Sequence, residues 1–501
     1  MSTWHEQVPT SGSIELPPDP RALDGLGRNH SLATALADIV DNSIDATASH
    51  VLIRFIRRGG RLHGLYVVDN GDGMGASALD TAMTVGGRRE YRANDLGRFG
   101  IGMKAASFSQ ARSLTVISKT SRTVPVGRRW ELDGDRKGFH CDLVSSGFCA
   151  DEFDRSWDIP DADTGTVIRW DNITGFPSTD DPVRVEKFIS QTVSEIRNHL
   201  GLVFHRILEA DRVHVSIDVE DVDINVPGPR FDVESLNPFG YLRSGNSAYP
   251  KELVAVTSTG VEIRFACHLW PGRSKLPQFR LSSDPADRQG LYFYRNDRLL
   301  QAGGGWDGIH MPDKALQLAR VAIDIDDDIV GLFRMNPEKS RVLVGPEFGA
   351  LADQARAEDG SGFTQYFTDA EHAYRRSRQR DRRRTPMFPP GKGFTPILRG
   401  AIEDEVPILE REEPLNIKWR RFDDDSVFEV DKQARTLWLN QAYRPDPAGE
   451  RRSVNDAPLL KALLYLLMEN LFHGERMGPS DKDNIQLWQE ILTAAARSGQ
   501  S

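Results

Sequence analysis

Between residues 31 and 48 apolar positions recur every three to four residues, Leu36, Ile39, Val40 and Ile44 among them, which predicts a helix with one apolar face. Asp38, Asp41, Asn42, Asp45 and Ser49 fall on a different stripe of that helix. Strand-like runs follow, "VLIRFI" and "HGLYVVD", then a short helix, a Gly-rich stretch, a further helix, and the runs "SLTVISKT", "RRWELDG" and "GTVIRW". This order predicts an α+β unit, an antiparallel-leaning sheet with helices on one face. "DPVRVEKFISQTVSEIRNHLGLVFHRIL" reads as one long amphipathic helix. After a polar stretch, "KELVAVTSTGVEIRFACHLW", "GLYFYRNDRLLQAG" and "ARVAIDID" predict a second, α/β unit. Beyond the Pro/Gly-rich "TPMFPPGKGFTP", the runs "SVFEVD" and "RTLWLNQAY" precede two helices, "APLLKALLYLLMENLFHG" and "KDNIQLWQEILTAAAR". The first of these is apolar nearly all round, as in a buried or dimer-forming helix, and Trp438 reads as core. The resulting boundaries are an arm over 1–27, domains over 28–220 and 221–350, a helical and basic linker over 351–399, and a small α+β domain over 400–501.

Composition narrows the function classes. A chain of 501 residues exceeds a single core. The net charge of -10 excludes a uniformly basic coat, yet residues 375–384 concentrate Arg375, Arg376, Arg378, Arg380, Arg382, Arg383 and Arg384. Such a run either neutralises nucleic-acid phosphates or forms a solvated linker. The three cysteines contain no CxxC pair, which predicts a reducing compartment and no zinc site. No basic-then-apolar start and no run of 18 apolar residues occurs, so a cytoplasmic protein without a membrane span is expected.

Three segments carry candidate chemistry. Three acids and an amide on one stripe either face water or face a ligand such as a hydrated cation. In "VVDNGDGM", residues 67–74, a strand ends at Asp69, and Gly71 and Gly73 follow at alternate positions; the same string also fits an ordinary turn. In "GRFGIGMKAAS", residues 97–107, Gly97, Gly100 and Gly102 precede a helix, an arrangement that lets backbone amides approach phosphate oxygens. It is not the P-loop G-x-x-x-x-G-K-[ST].

In order and spacing, D-x-x-x-N-S-x-D-A, then about 25 residues on D-x-G-x-G, then G-x-x-G-x-G-x-K, then "TGTVI" at 164–168, the chain resembles the GHKL ATPases, the class of gyrase, the heat-shock chaperones, histidine kinases and MutL. The resemblance implies a Bergerat-fold ATP-binding domain, a mixed sheet with helices on one face, that uses ATP and Mg2+. It assigns Asn42 to the metal, Asp38 to the attacking water, and Asp69 to the adenine amino group, with Thr166 supporting Asp69 through hydroxyl or water contacts. Asp45, Gly71, Gly73 and Met74 would lie against the nucleotide, and Gly97, Gly100, Ile101, Gly102, Met103 and Lys104 at the end of the ATP lid. Hydrolysing members usually carry Glu where this chain has Asp38, one methylene shorter, which leaves the rate open. "GRFGIGMKAASFSQARSLTVISK" is similar to the MORC ATPases, and "GLYFYRNDRLLQAGG" to the transducer domain of MORC and MutL proteins. In those proteins a transducer lysine meets the γ-phosphate, so "FRMNPEKSRVLV" places Lys339 in that role. The implied function is an ATP hydrolase that dimerises on ATP and acts on DNA, with partner proteins, in genome maintenance or defence against foreign DNA. A chaperone-like ATPase acting on protein clients and an ATP-binding module with little hydrolysis remain alternatives.

Overall fold

The computed structural model describes residues 30–85, 102–132, 140–224, 226–281, 283–335, 342–345, 347–379, 385–444, 455–474 and 477–498. The chain forms two compact units that interleave along the sequence. The first comprises Met1–Pro238, Tyr292–Ala302 and Ile323–Phe348, and the second Phe239–Leu291, Gly303–Ala322 and Gly349–Ser501.

The first unit opens with α1 (Leu32–Asp45), capped by Ser31, whose Oγ accepts from the Thr34 amide at 3.2 Å. There follow β1 (His50–Arg58), β2 (Arg61–Asp69), α2 (Ala76–Met83), α3 (Gly102–Gln110), β3 (Ala111–Lys119), β4 (Val126–Glu131), β5 (Asp142–Leu143), α4 (Ser146–Phe153), β6 (Gly165–Ile173), α5 (Pro182–Val203), α6 (His205–Glu209), β7 (His214–Asp221), β8 (Val226–Pro227) and β9 (Phe231–Asp232). The strands form one mixed α+β sheet in the order β5-β4-β3-β6-β2-β1-β7-β8, with β9 also on β7. Within this sheet, among the described residues, only β1 and β7 run parallel. Alternation sends Val51, Ile53, Phe55, Leu65 and Val67 into the core shared with α1, α3 and α5. Leu52, Tyr66 and Val68 point the other way, where α4 supplies Cys149 and Phe153 and the following loop Trp157. The larger helices thus lie on one face, as expected, and α4 covers part of the second. Burial on both faces explains why β1 and β2 are nearly continuous apolar runs.

The long amphipathic helix is interrupted. Phe204, fully buried at φ -105° and ψ 14°, separates α5 from α6, so residues 181–208 are two helices and not one. The break carries neither Gly nor Pro.

Arg54, on β1, is 1% exposed and sits opposite Asp218 in the parallel ladder. Its Nε and Nη2 donate to the two Asp218 oxygens at 2.7 and 2.8 Å, and its Nη1 to Glu220 at 3.1 Å. Removing one partner of a buried ion pair destabilises by about 3–5 kcal/mol. Arg230 and Arg155 also reach Asp218 and Glu220, so Arg54→Leu is expected at the low end, about 3 kcal/mol. Urea unfolding measures it, and a loss below about 1 kcal/mol would assign the network to surface-like screening.

In the second unit Lys251–Val256 pairs antiparallel with Glu262–Leu269, which pairs in turn with 319–322. The helix Phe363–Gln379 packs on this sheet, with the Tyr366 hydroxyl donating to the His268 carbonyl at 2.8 Å. The C-terminal segment holds a three-stranded sheet of Asn416–Arg420, Thr436–Asn440 and Phe428–Asp431, in that order. The first of these strands lies outside the runs read from the sequence. On the next, Leu437 and Leu439 enter the core while Trp438 takes the opposite face, with Lys418 and Arg420 over its ring, which corrects the reading of Trp438 as core. The apolar helix Pro458–Met468 buries Leu464, Tyr465 and Met468 but leaves Leu459, Leu463 and Leu466 more than half exposed.

Among the described residues no helix is long and apolar enough to cross a membrane. Cys141, Cys149 and Cys267 are free thiols, and burial raises the pKa of each.

Candidate functional site

The C-terminal end of β2 delivers Asp69 beneath α1. Its carboxylate is buried; Oδ2 accepts from the Ser43 hydroxyl at 2.9 Å and Oδ1 from the Gly71 amide at 3.0 Å. Burial raises its pKa from 3.8 to about 6, against the opposing hydrogen bonds from Gly71, Ser43 and the Thr166 backbone. Thr166 therefore supports Asp69 through its amide. Its hydroxyl turns to the Ser118 hydroxyl at 2.9 Å, and Ser118 accepts in addition from the Met74 amide at 2.8 Å. The Thr164 hydroxyl closes the same turn by donating to the Gly71 carbonyl at 2.8 Å.

Two glycines let the strand ends approach this closely. Gly73 has φ +67°, and a Cβ there would stand 1.9 Å from the Lys119 carbonyl oxygen. Gly165 has φ +137°, and its Cβ would stand 1.9 Å from the carbonyl oxygen of Asp69 itself. Any other residue would push β2, β3 and β6 apart where their ends converge.

Immediately before Ser43 on α1, Asn42 donates from Nδ2 to the Asp38 backbone carbonyl at 2.8 Å, which fixes the amide plane and leaves its oxygen as the acceptor end. Among the described residues no group of three His, Cys, Asp or Glu side chains could hold a metal by itself. Asn42 suits Mg2+, which keeps waters and phosphate oxygens as most of its ligands. Asp38 and Asp41, on the supposed polar stripe, are 5% and 1% exposed, so this face of α1 is not solvated. The Arg298 Nε donates to Asp41 Oδ1 at 2.7 Å, its Nη2 reaches Asp38 Oδ1 at 3.4 Å, and His30 Nε2 lies 4.0 Å from Asp38 Oδ2. Asp45 lies in the last turn of α1, partly buried.

Gly102 and Met103 open α3, and the first amides of a helix have no acceptor within the helix itself. Lys104 is turned inward, 2% exposed, with Nζ donating to the Ala82 carbonyl at 2.7 Å at the end of α2. Burial lowers its pKa from 10.5 to about 8. Gly97, Gly100, Ile101 and Lys339 lie outside the described residues, as do Arg380, Arg382, Arg383 and Arg384. Arg375 pairs with Glu371 at 2.8 Å and Arg376 with Asp404 at 3.2 Å, while the Arg378 Nη1 donates to the Tyr374 hydroxyl at 2.8 Å. Sequence reasoning assigned no role to Ser43, Ser118, Gly165 or Arg298. Ser43 and Gly165 had local signals, as the neighbour of Asn42 in the first motif and of Thr166 in "TGTVI".

The Asp69 environment gives a pH expectation. Its folded pKa is raised, so the stability it contributes is fully present below about 3.8 and is lost as pH rises through about 6. A ligand that donates to the ionised carboxylate has the opposite dependence. For an adenine nucleotide whose amino group donates to Asp69, the role the sequence resemblance implies, affinity should be flat above about pH 7 and fall about tenfold per unit below about 6. Calorimetric titration of ADP from pH 5 to 8 reads this directly, and affinity unchanged down to pH 5 would separate Asp69 from the base.

A family profile described as "Histidine kinase-, DNA gyrase B-, and HSP90-like ATPase" matches residues 30–137. Protein MICRORCHIDIA 5 of Arabidopsis thaliana is 32% identical over 108 residues, 20% of this chain and 15% of that protein, so the match spans under one sixth of that relative's length. A crystal structure titled as the N-terminal domain of a DNA repair protein aligns at a TM-score of 0.39 and 16% identity, over 72% of this chain and 98% of that one.

Proposed function

We propose that this chain, whose residues 30–137 match the profile of the histidine kinase-, DNA gyrase B- and HSP90-like ATPases, is an ATP-driven switch of MORC-like character that hydrolyses ATP to ADP and phosphate. The observation that carries this reading is the buried Asp69 carboxylate, held between Ser43, Gly71 and Thr166 at a strand end that only glycines permit. Such a group is built to accept the amino group of an adenine and to discriminate against bases that lack it. Gly71, Gly73 and Met74 pass along the base and sugar, and the amides that open α3 face the phosphates. Lys104 meets a phosphate only by leaving the Ala82 carbonyl. Asn42 would hold the Mg2+ of the nucleotide, an ion that when bound would supply charge neutralisation to the phosphates. Asp38 takes a proton from water as the water oxygen bonds to the γ-phosphorus and the bond to the β-bridging oxygen breaks. Lys339 contacts the γ-phosphate in the closed state, so ATP and not ADP favours closure of a dimer.

Action on DNA, with partner proteins in genome maintenance or defence, belongs to the same proposal. Because Arg375 and Arg376 are engaged by carboxylates, the DNA contacts fall to the later part of the run. Replacing Arg380, Arg382, Arg383 and Arg384 by Ser should weaken DNA binding at all sequences alike. The slope of log K against log salt should flatten by about 3 to 4, at roughly 0.9 per phosphate contact. An unchanged slope assigns the run to a solvated linker. Turnover stimulated by a denatured protein and indifferent to DNA would favour a chaperone-like machine.

A second reading has one observation in its favour. Asp38 lies within 3.4 Å of Arg298, as in a module that binds ATP and hydrolyses little. Phosphate release above the background of Asp38→Asn decides between them.

A further inference from the structure

The hairpin of Gly290–Arg295 and Arg298–Ala302 turns through Asn296 and Asp297, both at positive φ, 48° and 65°. Asn and Asp tolerate that region, and a two-residue turn of this kind matches the twist of the flanking strands. The turn is anchored within the first unit. Arg212 pairs with Asp297 at 2.6 Å, and the Arg206 guanidinium lies 3.6 Å from the Tyr294 ring centroid. Arg298 is consequently fixed as the first residue after the turn. Its guanidinium stands 5.9 Å from the Phe204 ring, at the break between α5 and α6, and is 4% exposed. From there it meets Asp41 at 2.7 Å and Asp38 at 3.4 Å, which are 257 and 260 residues earlier in the chain.

We propose that Arg298 is a positioning residue for ATP turnover: anchored on Asp41, its fork holds the Asp38 carboxylate in the orientation from which it serves the attacking water. The inference rests on the reading of Asp38 as the group that handles that water. Three features carry it. The Arg298–Asp41 contact is short and buried, so it sets where the guanidinium lies. The Asp38 contact is longer and shares the same planar group, so Asp38 is oriented without being locked. The side chain of Asp38 is one methylene shorter than Glu, so a small rotation moves its oxygens away from a water that a longer carboxylate would still reach. A planar fork can serve two carboxylates at once; an ammonium cannot do so in the same geometry. Turnover thereby becomes sensitive to the seating of a hairpin that touches no nucleotide.

The test uses the full chain with Arg298→Lys, which keeps the charge and loses the fork, and Asp41→Asn, which keeps the volume and loses the anchor. Each should lower kcat about tenfold or more, while KM for ATP and the calorimetric affinity for ADP stay within about twofold. Circular dichroism checks that each variant is folded, and either variant alone suffices should the other fail. Added to Asp38→Asn, Arg298→Lys should lower the residual rate no further. A parental kcat in a folded Arg298→Lys or Asp41→Asn protein overturns the inference, as does a tenfold drop that persists in the Asp38→Asn background. A parental rate in Asp38→Asn alone removes the reading of Asp38 and the inference with it, whereas an inactive Asp38→Asn beside a fully active Arg298→Lys removes only the inference.

Discussion

Asp69→Asn is expected to lose ADP and ATP binding while remaining folded. The carboxylate already accepts from the Ser43 hydroxyl and from the Gly71 and Thr166 amides, and it retains a lone pair for a ligand donor. An asparagine offers one oxygen and one NH2. If the oxygen faces Gly71, the NH2 faces Ser43, which can turn to accept but then leaves no acceptor on that side for an adenine amino group. If the NH2 faces Gly71, two donors collide. A hydrogen bond to a charged group contributes about 1.5–3 kcal/mol, and the ligand donor left unpaired adds a further 1–3. The sum, about 3 kcal/mol or more, is at least a hundredfold in Kd. Removing a carboxylate whose burial already raises its pKa should leave thermal stability equal to the parent or above it. Loss of binding without loss of Tm is thus the signature, and an ADP affinity within fivefold of the parent would take Asp69 out of the site.

Asp38→Asn should divide the two quantities the other way. It carries no assigned contact to the base or sugar, so ADP affinity should change by less than about threefold. General-base contributions are about 10²–10⁴ in rate, so phosphate release should fall by that factor. The asparagine oxygen can still accept from Arg298, so the first unit should keep its fold. Stopped-time phosphate measurements at saturating ATP test this, and a variant that turns over at the parental rate would place the base elsewhere.

What was legible in the chain follows from how far each signal is local. The helix bearing Asp38 and Asn42, the strand ending at Asp69 and the glycine at 73 are written within single elements, where periodicity and turn chemistry report them directly. Ser118 becomes a site residue only through the β3–β6 register, which pairs it with Thr166. Register between strands some fifty residues apart has no local marker. Arg298 is one arginine among many until the hairpin is seated on Phe204, and Phe204 itself ends a helix without a Gly or Pro to announce it. Lys104 read as a phosphate ligand from its place after the glycines, yet its side chain leaves the helix on the buried side and finds the Ala82 carbonyl. Trp438 was misplaced for the complementary reason: between two core leucines on one strand, alternation must send it to the other face.

The interleaving of the two compact units bears on the order of synthesis. A chain emerges from the ribosome N-terminus first at about 5–20 residues per second, and domains fold as they become complete. Here the first unit is incomplete at Pro238 and acquires its last segment only at Phe348. For roughly 3 to 12 seconds at that speed, the time to add the residues between Pro238 and Arg298, the nascent polypeptide holds the Asp38 and Asp41 carboxylates of α1 without the guanidinium that pairs with them. Maturation of the proposed nucleotide site is therefore a late event in the life of the chain, timed by translation of the region that follows it.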